Sequence, residues 1–232
     1  MIVSRTNREE GAPGAEAGVR VFLVDQQPIT RYGLAQLIDK QEDLQLCGVG
    51  RDTSRCVEEI SVARPQVAVV DFNLAEGAGL EWVKQLLASF PDLPILTLSS
   101  HDERVYADRA VRVGARGYVM KNAGTQDFLQ AIRDVSSGKI YLSGGIASQV
   151  LNRMVGTDSA EPSPPSRLTD RQLEILTMIG QGLGTRRIAE RLGRSVKTIQ
   201  AHRENIKQRL NLGGASELTQ YAVRWLMSES GR

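Results

Sequence analysis

Five short apolar runs alternate with five stretches of helical spacing, and that alternation constrains the fold more than any other feature. The runs lie at 19–24, 44–49, 67–71, 94–98 and 116–120, and the helical patterns at 28–40, 54–64, 79–89, 102–113 and 125–137. Val67-Ala68-Val69-Val70 is continuously apolar, which requires cover on both faces of the strand. A helix between successive strands returns the chain across the sheet, so the strands run parallel. Residues 19–137 are therefore expected to form a doubly wound α/β domain with a five-stranded parallel sheet. In an open sheet of this kind a ligand site lies beyond the carboxyl ends of the strands.

A different pattern follows. A further helix is expected at about 144–155, then an extended linker at 156–166, "GTDSAEPSPPS", whose prolines and serines sustain neither helix nor sheet interior. The connecting segment thus covers 138–166. From 167 to 232 only helical patterns occur, at about 170–181, 186–192, 196–210 and 217–228. Thr169 and Gln172 fit a capping box before the first, and Thr185 and Ser195 are expected N-caps of the next two. The break at Gly193-Arg194 joins a short helix to a longer basic one, as in a helix-turn-helix. Residues 1–18, polar and rich in Gly, Ala and Glu, read as a disordered tail. No internal repeat is visible.

Charge separates the two parts. Over 19–155 there are 15 Lys and Arg against 16 Asp and Glu, a balance of −1; over 166–232 there are 12 against 6, a balance of +6. The small C-terminal part is the one suited to a polyanion, although a solvated basic face would carry the same charge. No apolar run is long enough to span a membrane, and the first residues lack the apolar core of a signal peptide, so the expected compartment is the cytoplasm. Cys47 and Cys56 fall in separate elements and read as two reduced, buried thiols.

The polar residues at the strand ends carry the chemistry. Asp25 ends the first strand, Asp71 the third and Ser99 the fourth, and Lys121 follows the fifth. Each alone has an ordinary explanation as a cap, a loop hydroxyl or a surface lysine. Together, two carboxylates, a hydroxyl and an ammonium on one sheet edge fit a Mg²⁺ and phosphoryl site. His101 and Asp102 near Ser99 supply the pieces of a hydrolase triad, but no nucleophile elbow accompanies them, and both read as surface residues.

The basic part contains "LTDRQLEILTMIGQGLGTRRIAERLGRSVKTIQAHRENIKQRLNL" over 168–212. Leu168-Thr169, Glu174, Leu176, Gly182, Ile188-Ala189, Leu192, Ser195, Lys197-Thr198, His202 and Leu210 match the LuxR-type pattern in type and spacing. This part resembles the LuxR-type DNA-binding domain, and residues 19–137 resemble the receiver domain of two-component response regulators, a flavodoxin-like fold. Together they resemble the NarL/FixJ class. The resemblance implies that Asp71 accepts a phosphoryl group from a sensor histidine kinase and that Lys121 pairs with the phosphoryl oxygens. It makes Ser99 the hydroxyl that moves towards them and Tyr118 the aromatic that rotates with it. Ser100 is small enough to give access to the acceptor. Mg²⁺ would be held by Asp25, Asp71 and the main-chain carbonyl of Asn73.

The segment "VDQQPI" departs from the family, which usually carries a second acidic residue where Gln26 stands. "FNLAEGAG" also lacks the proline usual after the acceptor. An amide oxygen can ligate Mg²⁺ but brings no charge. A unit-charge pair near 4 Å is worth roughly 4 kcal/mol gross at an effective dielectric of about 20, and desolvation offsets much of that. Weaker metal binding and slower phosphoryl transfer are expected. Loss of one of three crowded carboxylates also relieves repulsion in the metal-free pocket.

At helical spacing, Leu173, Leu176, Ile188, Leu192, Ile199, Ile206 and Leu210 read as core. The face towards DNA is expected to carry Arg194, Lys197, Thr198, Gln200, Ala201, His202, Arg203, Glu204 and Lys207. Lys and Arg hold phosphates, Gln200 suits adenine and Ala201 a thymine methyl. Glu204 either accepts from a cytosine amine or pairs with a neighbouring arginine, the second being preferred. His202 is read as touching a phosphate or packing, rather than binding a metal. Leu218, Tyr221, Ala222 and Trp225 form one stripe on the last helix. It reads as core, and the resemblance adds that this helix pairs two domains on half-sites about one DNA turn apart.

The leading reading is thus a DNA-binding transcription regulator whose receiver controls its reader. It would act on double-stranded DNA as a homodimer, with RNA polymerase a further partner and no membrane. A pseudo-receiver regulator controlled by a partner, a ligand or abundance is the second. A phosphoryl sink acting through protein binding is the third, opposed by the intact reader. No P-loop or other cofactor motif points to an enzyme beyond self-catalysed phosphoryl transfer to Asp71.

Overall fold

The computed structural model describes residues 18–72, 74, 79–148 and 164–230. The first part runs β1 (Val19–Val24), α1 (Pro28–Asp39), β2 (Leu44–Gly50), α2 (Thr53–Ala63), β3 (Val67–Asp71), α3 (Gly79–Ser89), β4 (Ile95–Ser99), α4 (Glu103–Arg112), β5 (Gly117–Met120) and α5 (Thr125–Ser136). All five strands pair in parallel, in the order β2-β1-β3-β4-β5. Alternation along each strand divides the core in two. Phe22, Val24, Ala68 and Val70 pack with Ile60, Trp82 and Leu86 on one face. Val21, Leu23, Val67 and Val69 pack with Ile38, Phe128 and Ile132 on the other. Because β1 and β3 are neighbours at the point where the strand order reverses, their carboxyl ends open the crevice in which such folds bind ligands.

The C-terminal part is all helical: α6 (Asp170–Gly180), α7 (Thr185–Arg191), α8 (Val196–Leu210) and α9 (Ala215–Ser230). The capping box at Thr169 and Gln172 forms as expected, and Ser195 caps α8 by accepting from the Thr198 N–H. At α7 the helix starts one residue earlier than its sequence suggests, so Gly184 is the N-cap and Thr185 the first helical residue. Gly193, at φ +58°, makes the turn into α8. A Cβ on Gly180 would come within 2.6 Å of the Ala222 carbonyl oxygen, so α6 and α9 approach as closely as glycine permits. Leu173, Leu176, Ile188, Ile199 and Ile206 are buried, whereas Leu192 and Leu210 are only partly so.

Two further expectations change. Pro164 to Ser166, expected as extended linker, belong to a 3-10 turn, Pro164–Arg167, whose last carbonyl accepts from Arg209 Nη1 at 2.9 Å. The fixed φ of the prolines suits so tight a turn. Cys47 is half-buried rather than buried, though Cys56 is buried and burial pushes its thiol up to about 12. The helix expected at 144–155 is helical over 144–148 and then passes outside the described residues, as do the expected tail through 17 and the linker through 163. No helix among the described residues is long and apolar enough to cross a membrane.

Candidate functional site

The sheet brings three of the four predicted charged and hydroxyl groups, Asp25, Asp71 and Lys121, into direct contact. Asp25 and Asp71 end neighbouring strands and are both fully buried. The Lys121 ammonium lies 2.8 Å from Asp25 Oδ2 and 3.0 Å from Asp71 Oδ2. These contacts are ion pairs whose angles fall outside those of hydrogen bonds. Asp25 Oδ1 accepts from the Gln27 N–H at 2.7 Å, and the Asp25 carbonyl accepts from Arg31 Nη1 at 2.7 Å, which fixes the carboxylate at the start of α1. Two carboxylates face one ammonium, so the pocket keeps an excess negative charge. Hard oxygen donors with that excess fit a small divalent cation. Among the described residues no group of three or more His, Cys, Asp and Glu could hold a metal, and the residue after Asp25 is the exposed amide Gln26. Asn73, expected to lend its carbonyl, lies outside the described residues.

Ser99 is buried beside this pocket, and Ser100 is exposed at its mouth. The Ser99 hydroxyl accepts from the main-chain N–H of His101 at 2.9 Å. His101 is not the surface residue expected: it is 9 % exposed, because Phe72 and Tyr106 pack rings around it. Asp102 instead caps α4 through the Arg104 N–H. Tyr118 is buried, and its hydroxyl donates to the His101 carbonyl at 2.9 Å. The His101 position was invisible in the sequence because a single histidine two residues past a strand has no periodic mark.

On α8, Lys197, Thr198, Gln200, Ala201 and Glu204 are exposed, as is Arg194 before it. Arg203 and His202 are half-buried. Burial, with the Arg171 charge, holds the His202 imidazole below its usual range. Burial also lowers the Arg203 guanidinium, against the opposing pull of Glu204. Glu204 does pair within the helix, but with Lys207 at 2.8 Å rather than with an arginine, because Lys207 lies one turn along on the same face. The Thr198 hydroxyl is held at 2.8 Å from Ser195 Oγ in the helix cap. Arg186 and Arg187, exposed on α7, add charge that the motif reading passed over. The stripe on α9 is core, as its spacing suggested: Leu218 and Ala222 are fully buried and Trp225 is 8 % exposed, with Tyr221 half-buried beside them. Close packing of α9 on α6 uses that face.

Residues 21–133 match the family described as response regulator receiver domain, and residues 166–222 match bacterial regulatory proteins, luxR family. Oxygen regulatory protein NreC of Staphylococcus carnosus (strain TM300) is 32% identical over 211 residues, spanning 89% of this chain and 97% of that protein. NreC of Staphylococcus aureus (strain MRSA252) is likewise 32% identical over 211 residues, with the same coverage. RcsB from Salmonella enterica serovar Typhimurium, solved bound to promoter rprA in the presence of the phosphomimetic BeF3-, shares the fold with a TM-score of 0.70 at 20% identity, over 89% of this chain and 99% of that one. A LuxR-family response regulator from Aurantimonas sp. SI85-9A1 aligns at 26% identity with a TM-score of 0.55, over 60% of this chain and 99% of that one. A parallel-sheet receiver carrying a buried carboxylate pair, joined to a LuxR-type helix-turn-helix, places this chain among the LuxR-family response regulators, which are DNA-binding transcription regulators.

Proposed function

We propose that Asp71 is the phosphoacceptor of this regulator and that its phosphorylation controls DNA binding by α8. The observation that carries the reading is the Lys121 ammonium held within 3.0 Å of both buried carboxylates, where it can pair with an incoming phosphoryl group. A carboxylate oxygen of Asp71 forms the O–P bond as the P–N bond of a kinase phosphohistidine breaks. Lys121 then moves from pairing two carboxylates to pairing Asp25 and the phosphoryl oxygens. Asp25 and Asp71, with the carbonyl of Asn73, would hold Mg²⁺, which supplies neutralising charge for the transferring group when bound. Gln26 lowers that affinity, so transfer is slow. On the reader, Lys197, Arg203 and Lys207 position the helix on phosphates, and Gln200 and Ala201 read base edges. Two chains occupy the two half-sites of an operator.

The test is incubation with a small phosphodonor and Mg²⁺, followed by intact mass. A slow gain of one phosphoryl group is expected, absent in Asp71→Asn and faster in Gln26→Asp. A wild-type rate equal to that of Gln26→Asp would remove the role given to Gln26, and labelling that survives in Asp71→Asn would remove that given to Asp71. Selection from random duplexes, with and without phosphodonor, reads the output: an enriched site bound more tightly after phosphorylation is expected.

A further inference from the structure

A cleft of about 470 Å³ lies between the two parts of the chain, a size at which small-molecule sites are found. Phe72, Leu80 and Tyr106 of the first part and Leu192 of the second supply its apolar wall. The Phe72 and Tyr106 rings meet edge to face, with centroids 5.3 Å apart. On the α4 side, Tyr106 stacks on Trp225 of α9 and Arg109 pairs with Asp170 of α6 at 2.7 Å.

Six charged groups also line the cleft, three of each sign. Most are spent on one another. Lys84 pairs with Glu81 at 3.5 Å on the exposed rim. Arg171 Nη1 holds Glu174 Oε2 at 2.6 Å, and its Nη2 donates to the Leu192 carbonyl at 3.2 Å. Asp170 is answered by Arg109. Two groups are left over. The first is Glu174 Oε1, which is buried with no hydrogen-bond partner among the described residues. Buried polar atoms are normally matched to a donor. Burial pushes the Glu174 carboxyl above its usual range, and Arg171 offsets part of that. The second is the Arg194 guanidinium, exposed at the turn before α8 and in no ion pair among the described residues.

We propose that this cleft is an effector site for a small aromatic acid carrying one carboxylate and one N–H or O–H donor. The ring packs on Phe72, Leu80 and Leu192, where an aromatic body gains most beside rings already set edge to face. The donor meets Glu174 Oε1, and the carboxylate pairs with the Arg194 fork. Arg194 also precedes Ser195, the cap of α8, on the surface expected to face DNA. A guanidinium paired with a ligand carboxylate is not available to a DNA phosphate, so ligand and DNA oppose one another. By linkage the loss is reciprocal: DNA weakens the ligand by the factor by which the ligand weakens DNA. No step needs a phosphoryl group, so the site goes beyond the phosphorylation reading and stands apart from it.

The test is titration calorimetry on the full, unphosphorylated chain. Indole-3-acetate and 4-hydroxyphenylacetate each carry the ring, the donor and the carboxylate, and at least one should bind with a Kd below about 1 mM. Tryptamine lacks the carboxylate and 1-methylindole-3-acetate lacks the N–H, and each should bind about tenfold more weakly than indole-3-acetate. Arg194→Ala should abolish the advantage over tryptamine, and Glu174→Leu the advantage over the methylated acid. Arg194 is exposed, so its variant decides the matter even where Glu174→Leu does not fold. In a gel shift, the bound acid should weaken DNA binding of wild type about threefold or more and leave that of Arg194→Ala unchanged. Absence of binding by both acids, or equal affinity for all the probes, overturns the site. Binding that survives unchanged in Arg194→Ala overturns the role of Arg194, and DNA affinity indifferent to bound acid overturns the antagonism. The calorimetry uses neither DNA nor phosphodonor, so its failure is distinct from a failure of Asp71 phosphorylation.

Discussion

At Lys121 a side chain only 10 % exposed faces two carboxylates that are fully buried. Removing one member of a buried charge group leaves the others uncompensated, at a cost of about 3–5 kcal/mol. Lys121→Met should therefore destabilise the chain by about 3 kcal/mol in urea unfolding, and Asp71→Asn added to it should recover part of the loss. Equal stability of Lys121→Met and wild type would mean that the bridge contributes nothing. The residues of this pocket were legible in the sequence because each ends a strand, and parallel topology places strand ends together. His101 was not, because its burial comes from rings contributed by Tyr106 on the next helix and by Phe72 after β3. Burial of Leu218, Ala222 and Trp225 was legible from their helical spacing, and the closeness of Gly180 to Ala222 shows which helix covers that face.

Among the elements, β2 is tied to α5 by a two-point contact from Arg133 to Asp43, at 2.6 and 2.9 Å, at the residue just before the strand. That hydrogen bond holds the Asp43 carboxyl below the usual range. A depressed folded pKa contributes stability that is present above the ordinary carboxylate value and lost as pH falls through the folded value. Wild type should thus exceed Asp43→Asn in melting temperature near neutral pH, and the two should converge below about pH 4. The effect is small because both groups are largely in water. A melting difference that persists unchanged at low pH would assign Asp43 another role. In the reader, Ser195→Ala removes the cap of α8 and should cost about 1 kcal/mol of stability, with weaker DNA binding in a gel-shift assay. Helix and strand existence was legible from periodicity and caps, with ends within two residues. Where a start moved, as at Gly184, backbone geometry suited the cap and no side chain was needed.

For the whole molecule, the two parts differ in charge as they do in architecture, and only the helical one is strongly basic. DNA binding should weaken steeply with salt, and Lys197→Ala should reduce the slope of log K against log salt by about 1 while leaving sequence preference intact. An unchanged slope would take Lys197 off the phosphate backbone. Fold class and division into two parts could be read from the alternation and the charge shift, whereas the contact of α4 with α6 and α9 left no trace in either. The parallel order of the sheet has a consequence for how the molecule comes into being. Asp71 is synthesised well before Lys121, and Asp25 before both. A nascent chain therefore carries two acidic strand ends with no ammonium between them until β5 has emerged and docked. Pairings this distant along a chain form late. The pocket is assembled only when the sheet is complete, so its two buried carboxylates meet their counter-charge last.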